Sequence, residues 1–236
     1  MEITNKILTI FFSGWATDWH LIENKVLKND TIVCYNYGES FDKILFSGGE
    51  RYDLSKEEEN SLLNFVRDNN YTRINIIAWS LGVYVVEHCR EIKDLITKGR
   101  ELPKYNFVAI NGTPFPCNDK YGIPVSVFKG TLDNLSDRNL YKFRRRMCGE
   151  NFDFFIDNPP QRSLESCKNE LEYFYNKMIE RGFHSYEFNV LWDKVYISKN
   201  DKIFPFENMN MAWRLTNTPI ITIDDEHFSK QLLEEF

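Results

Sequence analysis

Short apolar runs, each closed by polar or turn-forming residues, recur along the first half of the chain. Ile7–Phe12, Thr31–Tyr35, Ile74–Ala78 and Phe107–Ile110 are nearly continuous in their apolar character, the pattern of strands buried on both faces rather than one. Helical signals lie between them. Ser55-Lys56-Glu57-Glu58 forms a capping box that opens a helix running to about Asn69, and a second helix runs from Ser80 to about Ile96. Strand, helix, strand, helix, strand predicts an α/β fold, a mostly parallel sheet covered by helices on both faces. The pattern changes at about Pro116. From there to Ser185 no buried strand is legible, and two helices are predicted instead. Ser136 caps the first, which passes through Leu140, Phe143 and Met147 and stops at Gly149. The second runs from about Ser163 to Ile179 and stops near Gly182, with Asn158-Pro159-Pro160 between the two. Strand pattern resumes at Lys194–Ser198 and Pro219–Ile223. The expected organisation is one domain over residues 1–236, with a helical insertion at about 116–185. Glu39–Arg51, which contains Gly48-Gly49, reads as a loop.

Composition narrows this picture. A chain of 236 residues, 42% hydrophobic, suits one α/β domain with an insertion. Aromatic residues make up 15%, with 19 Phe and 12 Tyr, enough to supply both a core and the walls of an apolar substrate tunnel. The net charge of −6 argues against a broad nucleic-acid surface and confines any basic partner site to a local patch. Cys34, Cys89, Cys117, Cys148 and Cys167 are odd in number and lack metal-ligand spacing, so they read as reduced thiols of a cytoplasmic protein. Ile7–Phe12 is too short for a signal peptide or a membrane span.

The chemistry concentrates at Ile76-Ile77-Ala78-Trp79-Ser80-Leu81-Gly82. An apolar strand runs directly into a serine flanked by small residues, and helix-forming residues follow. A strand-to-helix elbow of this kind lifts a serine hydroxyl above the sheet, and only small neighbours let the backbone bend so tightly. The pattern is Ala-x-Ser-x-Gly, with Ala78 where Gly-x-Ser-x-Gly has its first glycine. This points to the α/β-hydrolase fold, in which the 116–185 insertion takes the place of a lid.

A serine nucleophile needs a base. Of the four histidines, His20 follows the first strand, His88 lies in the elbow helix, His184 ends the insertion and His227 follows the last strand. In this fold the order is nucleophile, acid, histidine, which selects His227. His88 reads as a helix-face residue and His20 as at most a pocket-lining one. The acid should follow the strand Lys194–Ser198, where Asp201 stands. Asp193 lies at the wrong end of that strand, and Asp224 and Asp225 read as solvated turn residues. A turn aspartate is also the bland reading of Asp201. The oxyanion donors expected are the Leu81 amide, which follows the nucleophile, and the Trp15 amide, in the loop Phe12-Ser13-Gly14-Trp15. Trp15 and Trp79 are expected over the reacting acyl group, though both also fit as core aromatics. Arg144-Arg145-Arg146 is an outlier in an acidic chain. A solvated helix face is the common explanation, and recognition of a carboxylate, a phosphate or an acidic protein is the other.

Phe11-Phe12-Ser13-Gly14-Trp15, Cys34-Tyr35-Asn36-Tyr37, Ala78-Trp79-Ser80-Leu81-Gly82, Asn111-Gly112-Thr113-Pro114 and Leu140-Tyr141-Lys142-Phe143-Arg144-Arg145-Arg146-Met147-Cys148-Gly149 together resemble the BioG-type pimeloyl-acyl-carrier-protein methyl ester esterases, over nearly the whole chain. The resemblance implies hydrolysis of the methyl ester that masks the far carboxylate of a pimeloyl chain still attached to acyl carrier protein, in biotin precursor synthesis. It implies a triad of Ser80, Asp201 and His227 and oxyanion donors at Trp15 and Leu81. It also implies a substrate pocket with Trp15, Trp79 and Phe143, lid arginines that meet the carrier protein or its phosphopantetheine, and no metal or redox cofactor. Ala78 and Ser13, where many relatives have histidine before the glycine, depart from the wider pattern and bear on pocket shape. The rival readings are a broad carboxylesterase or thioesterase of the same fold, and a hydrolase-like binding protein without activity.

Overall fold

The structure, a computed structural model, describes residues 6–22, 30–38, 62–98, 104–182 and 188–235. Six strands form one sheet: β1 (Ile7–Phe12), β2 (Asp30–Cys34), β3 (Arg73–Trp79), β4 (Lys104–Ile110), β5 (Lys194–Ser198) and β6 (Ile220–Ile223). Their spatial order is β2-β1-β3-β4-β5-β6, with every neighbouring pair parallel. The chain leaves β1 toward one edge and returns to place β3 on its other side. Order reverses between β1 and β3, so the crevice beyond their carboxyl ends is where an open α/β sheet binds ligands. The loop carrying Trp15 leaves β1 there, and Ser80 leaves β3.

The central strands are buried on both faces, as expected of parallel strands under helices: Ile74, Ile76, Ile77, Ala78, Val108, Ala109, Val195 and Ile197 have no measurable exposure. β6 differs. Among the described residues it is an edge strand, paired with β5 alone, and Ile221 is 37% exposed.

Helices α1 (Leu62–Asp68), α2 (Leu81–His88) and α3 (Arg90–Lys98) pack around the first half of the sheet. The capping box at Ser55–Glu58 and the loop Glu39–Arg51 lie outside the described residues. The single helix expected from Ser80 to Ile96 is instead α2 and α3, broken where Cys89 turns extended (φ −70°, ψ 122°). The two halves need different surroundings. Leu81–Glu87 is buried on every side, whereas α3 buries Ile92 and Leu95 and exposes Arg90 and Lys93. One straight helix cannot serve both.

Between β4 and β5 the two expected helices are present, α5 (Asp137–Cys148) and α7 (Leu164–Arg181). The Ser136 cap is as read, its hydroxyl accepting from the Asn139 amide; Ser163, where the second helix starts, accepts from the Ser166 amide in the same way, and Gly149 (φ 48°) and Gly182 (φ 76°) end the helices in left-handed conformations. Two more helices flank α5, α4 (Val125–Asp133) and α6 (Phe152–Asp157). Neither has a side-chain cap hydrogen bond; Pro124 precedes the first, and the side chain of Asn151, though of a capping type, does not cap the second. α8 (Phe206–Trp213) and the single turn α9 (Lys230–Leu233) complete the fold. No described helix is long and apolar enough to cross a membrane.

Glu87, inside α2, carries a testable consequence. Its fully buried carboxylate accepts from Trp192 Nε1 at 2.6 Å and from the Asn189 amide at 2.5 Å, and burial outweighs these bonds to raise its pKa to about 7. Between the ordinary value of 4.5 and about 7 the folded protein keeps a proton that the unfolded chain releases. Stability therefore falls as pH rises through that window, by up to about 3 kcal/mol from this group. Urea unfolding at pH 5 and pH 8 is expected to show a smaller pH-dependent loss for Glu87→Gln than for the wild type.

Candidate active site

Ser80 sits between the last residue of β3 and the first of α2, at φ 59° and ψ −124°. A serine at positive φ is strained by about 1–3 kcal/mol and persists only where its surroundings dictate it. Its amide donates to the Ile110 carbonyl at 2.9 Å. Two glycines admit the packing around it. A Cβ on Gly82 would stand 2.3 Å from the Phe12 carbonyl oxygen, and one on Gly112 would stand 2.2 Å from the Ser80 carbonyl oxygen.

The loop after β6 brings His227 over the elbow, with Nε2 2.9 Å from Ser80 Oγ. Its Nδ1 lies 2.7 Å from Asp201 Oδ2, in the loop after β5. The other Asp201 oxygen accepts the amides of Ile203 and Phe204 at 2.7 and 2.8 Å, so the carboxylate has a fixed orientation. The imidazole and carboxylate side chains are 1% and 0% exposed, and the Phe204 ring stacks on the imidazole at 5.8 Å and 3°. A carboxylate facing Nδ1 favours the tautomer with its proton there, which leaves Nε2 free to accept from the serine hydroxyl. Asp193, set aside on topology, accepts the Phe107 amide at the opposite end of the sheet.

Leu81 opens α2, so its amide belongs to the first helical turn, whose N–H groups have no intrahelical acceptor and carry the positive end of the helix dipole. Trp15 is anchored from the far side. Its indole Nε1 donates to the Cys167 carbonyl of α7 at 2.7 Å, and its ring meets Phe143 edge-on at 4.7 Å. The next residue, Ala16, takes φ 60° and donates its amide to Glu170 Oε2 at 3.3 Å. Glu170 is fully buried. It also accepts the Tyr37 amide at 3.0 Å and pairs with Arg162 at 2.5 Å, and that guanidinium reaches Asn36 Oδ1 at 2.7 Å. This network joins α7 to the loops after β1 and β2. Its one signal in the sequence is Glu170 itself, which lies on the apolar stripe Cys167, Leu171, Phe174, Met178, where a carboxylate requires a partner.

Trp15, Ser80, Leu81, Phe128, Phe143, Leu171, Ile203, Arg146 and Lys202 line a cavity of about 50 Å³ beside the serine. A second, of about 570 Å³, adjoins it along α4 and α5 and adds Lys142 and Arg145; Val127, Thr131, Phe143 and Arg146 line both. Trp79, expected as a pocket wall, is not among the lining residues. The nucleophile turn directs its indole under the site, where Nε1 donates to the His227 carbonyl at 2.9 Å and the ring packs on Phe228. The three arginines divide. Arg144 turns inward to the Ala16 carbonyl at 3.3 Å and lies 5.6 Å from the Phe155 ring, so it is not available to an outside partner as expected. Arg145 and Arg146 stay exposed. His20 is held by Asp18 at 3.0 Å and stacked on Trp19, and is not among the cavity-lining residues. His88 meets Arg181 at the end of α2. His184 lies outside the described residues.

The family model described as pimeloyl-ACP methyl esterase BioG matches residues 44–235. The chain belongs to the BioG family. The crystal structure of BioG from Haemophilus influenzae is 28% identical with a TM-score of 0.70, over 97% of this chain and 92% of that one. A Haemophilus influenzae protein bearing only the description uncharacterized is 30% identical over 225 residues, 94% of this chain and 88% of its own length. A Bacteroides fragilis protein named malonyl-[acyl-carrier protein] O-methyltransferase is 33% identical over 230 residues. That match takes in 96% of this chain and only 40% of the relative, so this BioG-family chain spans less than half of it. The epoxide hydrolase CorEH, at 14% identity and TM-score 0.53, shares the fold alone. Hydrolase fold and BioG membership together support an esterase.

Proposed function

We propose that this chain hydrolyses the methyl ester of a pimeloyl group carried on acyl carrier protein, releasing methanol, in biotin precursor synthesis. The observation that carries the reading is the buried chain Ser80 Oγ, His227 Nε2, His227 Nδ1, Asp201 Oδ2, with its serine at the wall of an apolar cavity. Membership of the BioG family supports the substrate. As Ser80 Oγ attacks the ester carbonyl, His227 takes its proton and Asp201 holds the imidazolium. The Leu81 and Trp15 amides receive the oxyanion. Collapse expels methoxide, which takes the proton from His227. Water, deprotonated by His227, then attacks the acyl-enzyme, and the acid product leaves with Ser80 reprotonated. In this scheme the residues need no metal or redox cofactor. Trp15 and Phe143 pack the acyl chain, and residues 116–185 act as a lid on a single domain.

A methyl-pimeloyl group is a seven-carbon chain ending in a methyl ester and carries no charge, so the apolar walls of the inner cavity suit it, while the outer cavity suits the phosphopantetheine arm by its Lys142, Arg145 and Arg146 rim. An acidic carrier protein would meet the same rim. Lys142→Glu with Arg145→Glu, two residues that line only the outer cavity, is expected to lower kcat/KM for the carrier-linked ester by roughly 10- to 100-fold, the size of one or two rim charge pairs, while a p-nitrophenyl short-chain ester changes by less than about threefold. Equal losses on both substrates would overturn the carrier role of this rim. Labelling of Ser80 by a fluorophosphonate probe tests the nucleophile; an unlabelled Ser80 in active protein would refute the scheme. Five free, buried cysteines support a reducing, cytoplasmic setting.

A further inference from the structure

The sheet gives His227 a long path to Ser80: the histidine loop follows edge strand β6, and the serine follows β3, three strands away. Asn111 shortens it. This residue follows β4, is fully buried and takes φ 45°, a left-handed conformation that asparagine tolerates better than most residues. The two hydrogens of its Nδ2 serve three acceptors, the His227 carbonyl at 2.8 Å, Ser198 Oγ at 2.8 Å and, through a shared hydrogen, the Glu226 carbonyl at 3.1 Å. Its Oδ1 accepts the Ser198 amide at 2.7 Å, and its own amide donates to the Tyr196 carbonyl at 3.0 Å. Ser198 ends β5, which leads to Asp201. On the other side of the same peptide segment, the Ile110 carbonyl accepts the Ser80 amide. Ile110-Asn111 therefore touches the serine elbow, the strand leading to the acid and the backbone of the base. Trp79 Nε1 supplies a second donor to the His227 carbonyl, which fills both of its lone pairs.

We propose that Asn111 is a positioning residue: its side-chain amide sets the distance of His227 from Ser80 and couples the base to the strand that carries the acid. The proposal rests on the Ser80–His227–Asp201 reading above. Misplacing a catalytic group by about 1 Å costs on the order of 100-fold in rate, so the effect belongs in kcat. Asn111→Gly keeps the left-handed backbone and removes the side chain. Asn111→Asp keeps the shape and sets a carboxylate oxygen against two carbonyls.

The test is hydrolysis of a p-nitrophenyl short-chain ester, with kcat expressed per Ser80 titrated by a fluorophosphonate. Asn111→Gly is expected to lower kcat per titrated serine by roughly 10- to 100-fold, with KM within about twofold of the wild type. The labelling rate should fall by the same factor, and Asn111→Asp should lose more. A structural role alone would lower the thermal midpoint and the titratable fraction, yet leave kcat per titrated serine unchanged; that result would overturn the proposal. Trp79→Phe, which keeps an aromatic ring at the site but replaces the indole and removes the second donor, should show a smaller fall in kcat and carries the test if Asn111→Gly fails to fold. If wild-type protein turns over the ester without labelling at Ser80, the underlying reading fails and the proposal with it. If Ser80 labels normally and the Asn111 variants match the wild type, the proposal alone fails.

Discussion

Replacing Ser80 by alanine is expected to lower ester turnover by roughly 10⁴- to 10⁶-fold, with folding intact. The hydroxyl is small, and its removal leaves the elbow's contacts through the Ile110 carbonyl and Gly112 in place. Circular dichroism and the thermal midpoint should therefore match the wild type while hydrolysis is lost. Asp201→Asn should act by another route. The oxygen that accepts the Ile203 and Phe204 amides can be retained, so the introduced amide nitrogen faces His227 Nδ1. That stabilises the wrong imidazole tautomer, and a loss of about 10⁴-fold follows without displacement of the ring. Near-normal hydrolysis by either variant would remove these residues from the reaction. Loss of activity in Asp201→Asn with a collapsed thermal midpoint would instead mark Asp201 as a structural residue of its loop.

The second large effect is on stability. Glu170 and Arg162 form an ion pair whose side chains are 0% and 6% exposed. Removing one partner leaves the other charge buried and uncompensated, which costs about 3–5 kcal/mol. Arg162→Met is expected to lower the thermal midpoint by on the order of 10 °C in a chain of this size. Activity should fall beyond what the unfolded fraction explains, because the same carboxylate holds the Ala16 amide beside Trp15. Pairing Arg162→Met with Glu170→Met should recover part of the stability. It should not recover all of it, since the Tyr37 and Ala16 amides lose their acceptor. A double variant whose loss of stability equals the sum of the losses in the two single variants would show that the two charges are uncoupled.

Much of the site was legible because this fold places function at the carboxyl ends of consecutive strands. Once Ile74–Ala78 is read as a strand and Ser80 as its elbow, topology restricts the acid to the loop after β5 and the base to the loop after the last strand; Asp201 and His227 stand there, in contact. What the sequence hid was contact between segments distant along the chain. Trp79 adjoins the serine in sequence, but backbone direction at the turn sends its indole under the site. Arg144, Arg145 and Arg146 are consecutive, so the helix aims them differently, and only the structure shows Arg144 turned inward to Ala16. Asn111 reads as an ordinary turn residue, and its bonds to Ser198 and His227 span 87 and 116 positions of sequence. Helix α4 was missed because Pro124 rather than a capping residue precedes it, α6 because six residues show too little periodicity, and the break at Cys89 because apolar periodicity continues across it. The buried, uncapped and long-range features are the ones set by tertiary packing rather than by local propensity.

The most direct test of the central claim is intact-mass spectrometry of methyl-pimeloyl acyl carrier protein incubated with the purified chain. The expected result is a carrier lighter by one methylene, still acylated, formed by wild-type protein and absent with Ser80→Ala. Release of free carrier would make the chain a thioesterase, and an unchanged mass with Ser80 labelled by a fluorophosphonate would contradict the substrate while leaving the serine hydrolase in place.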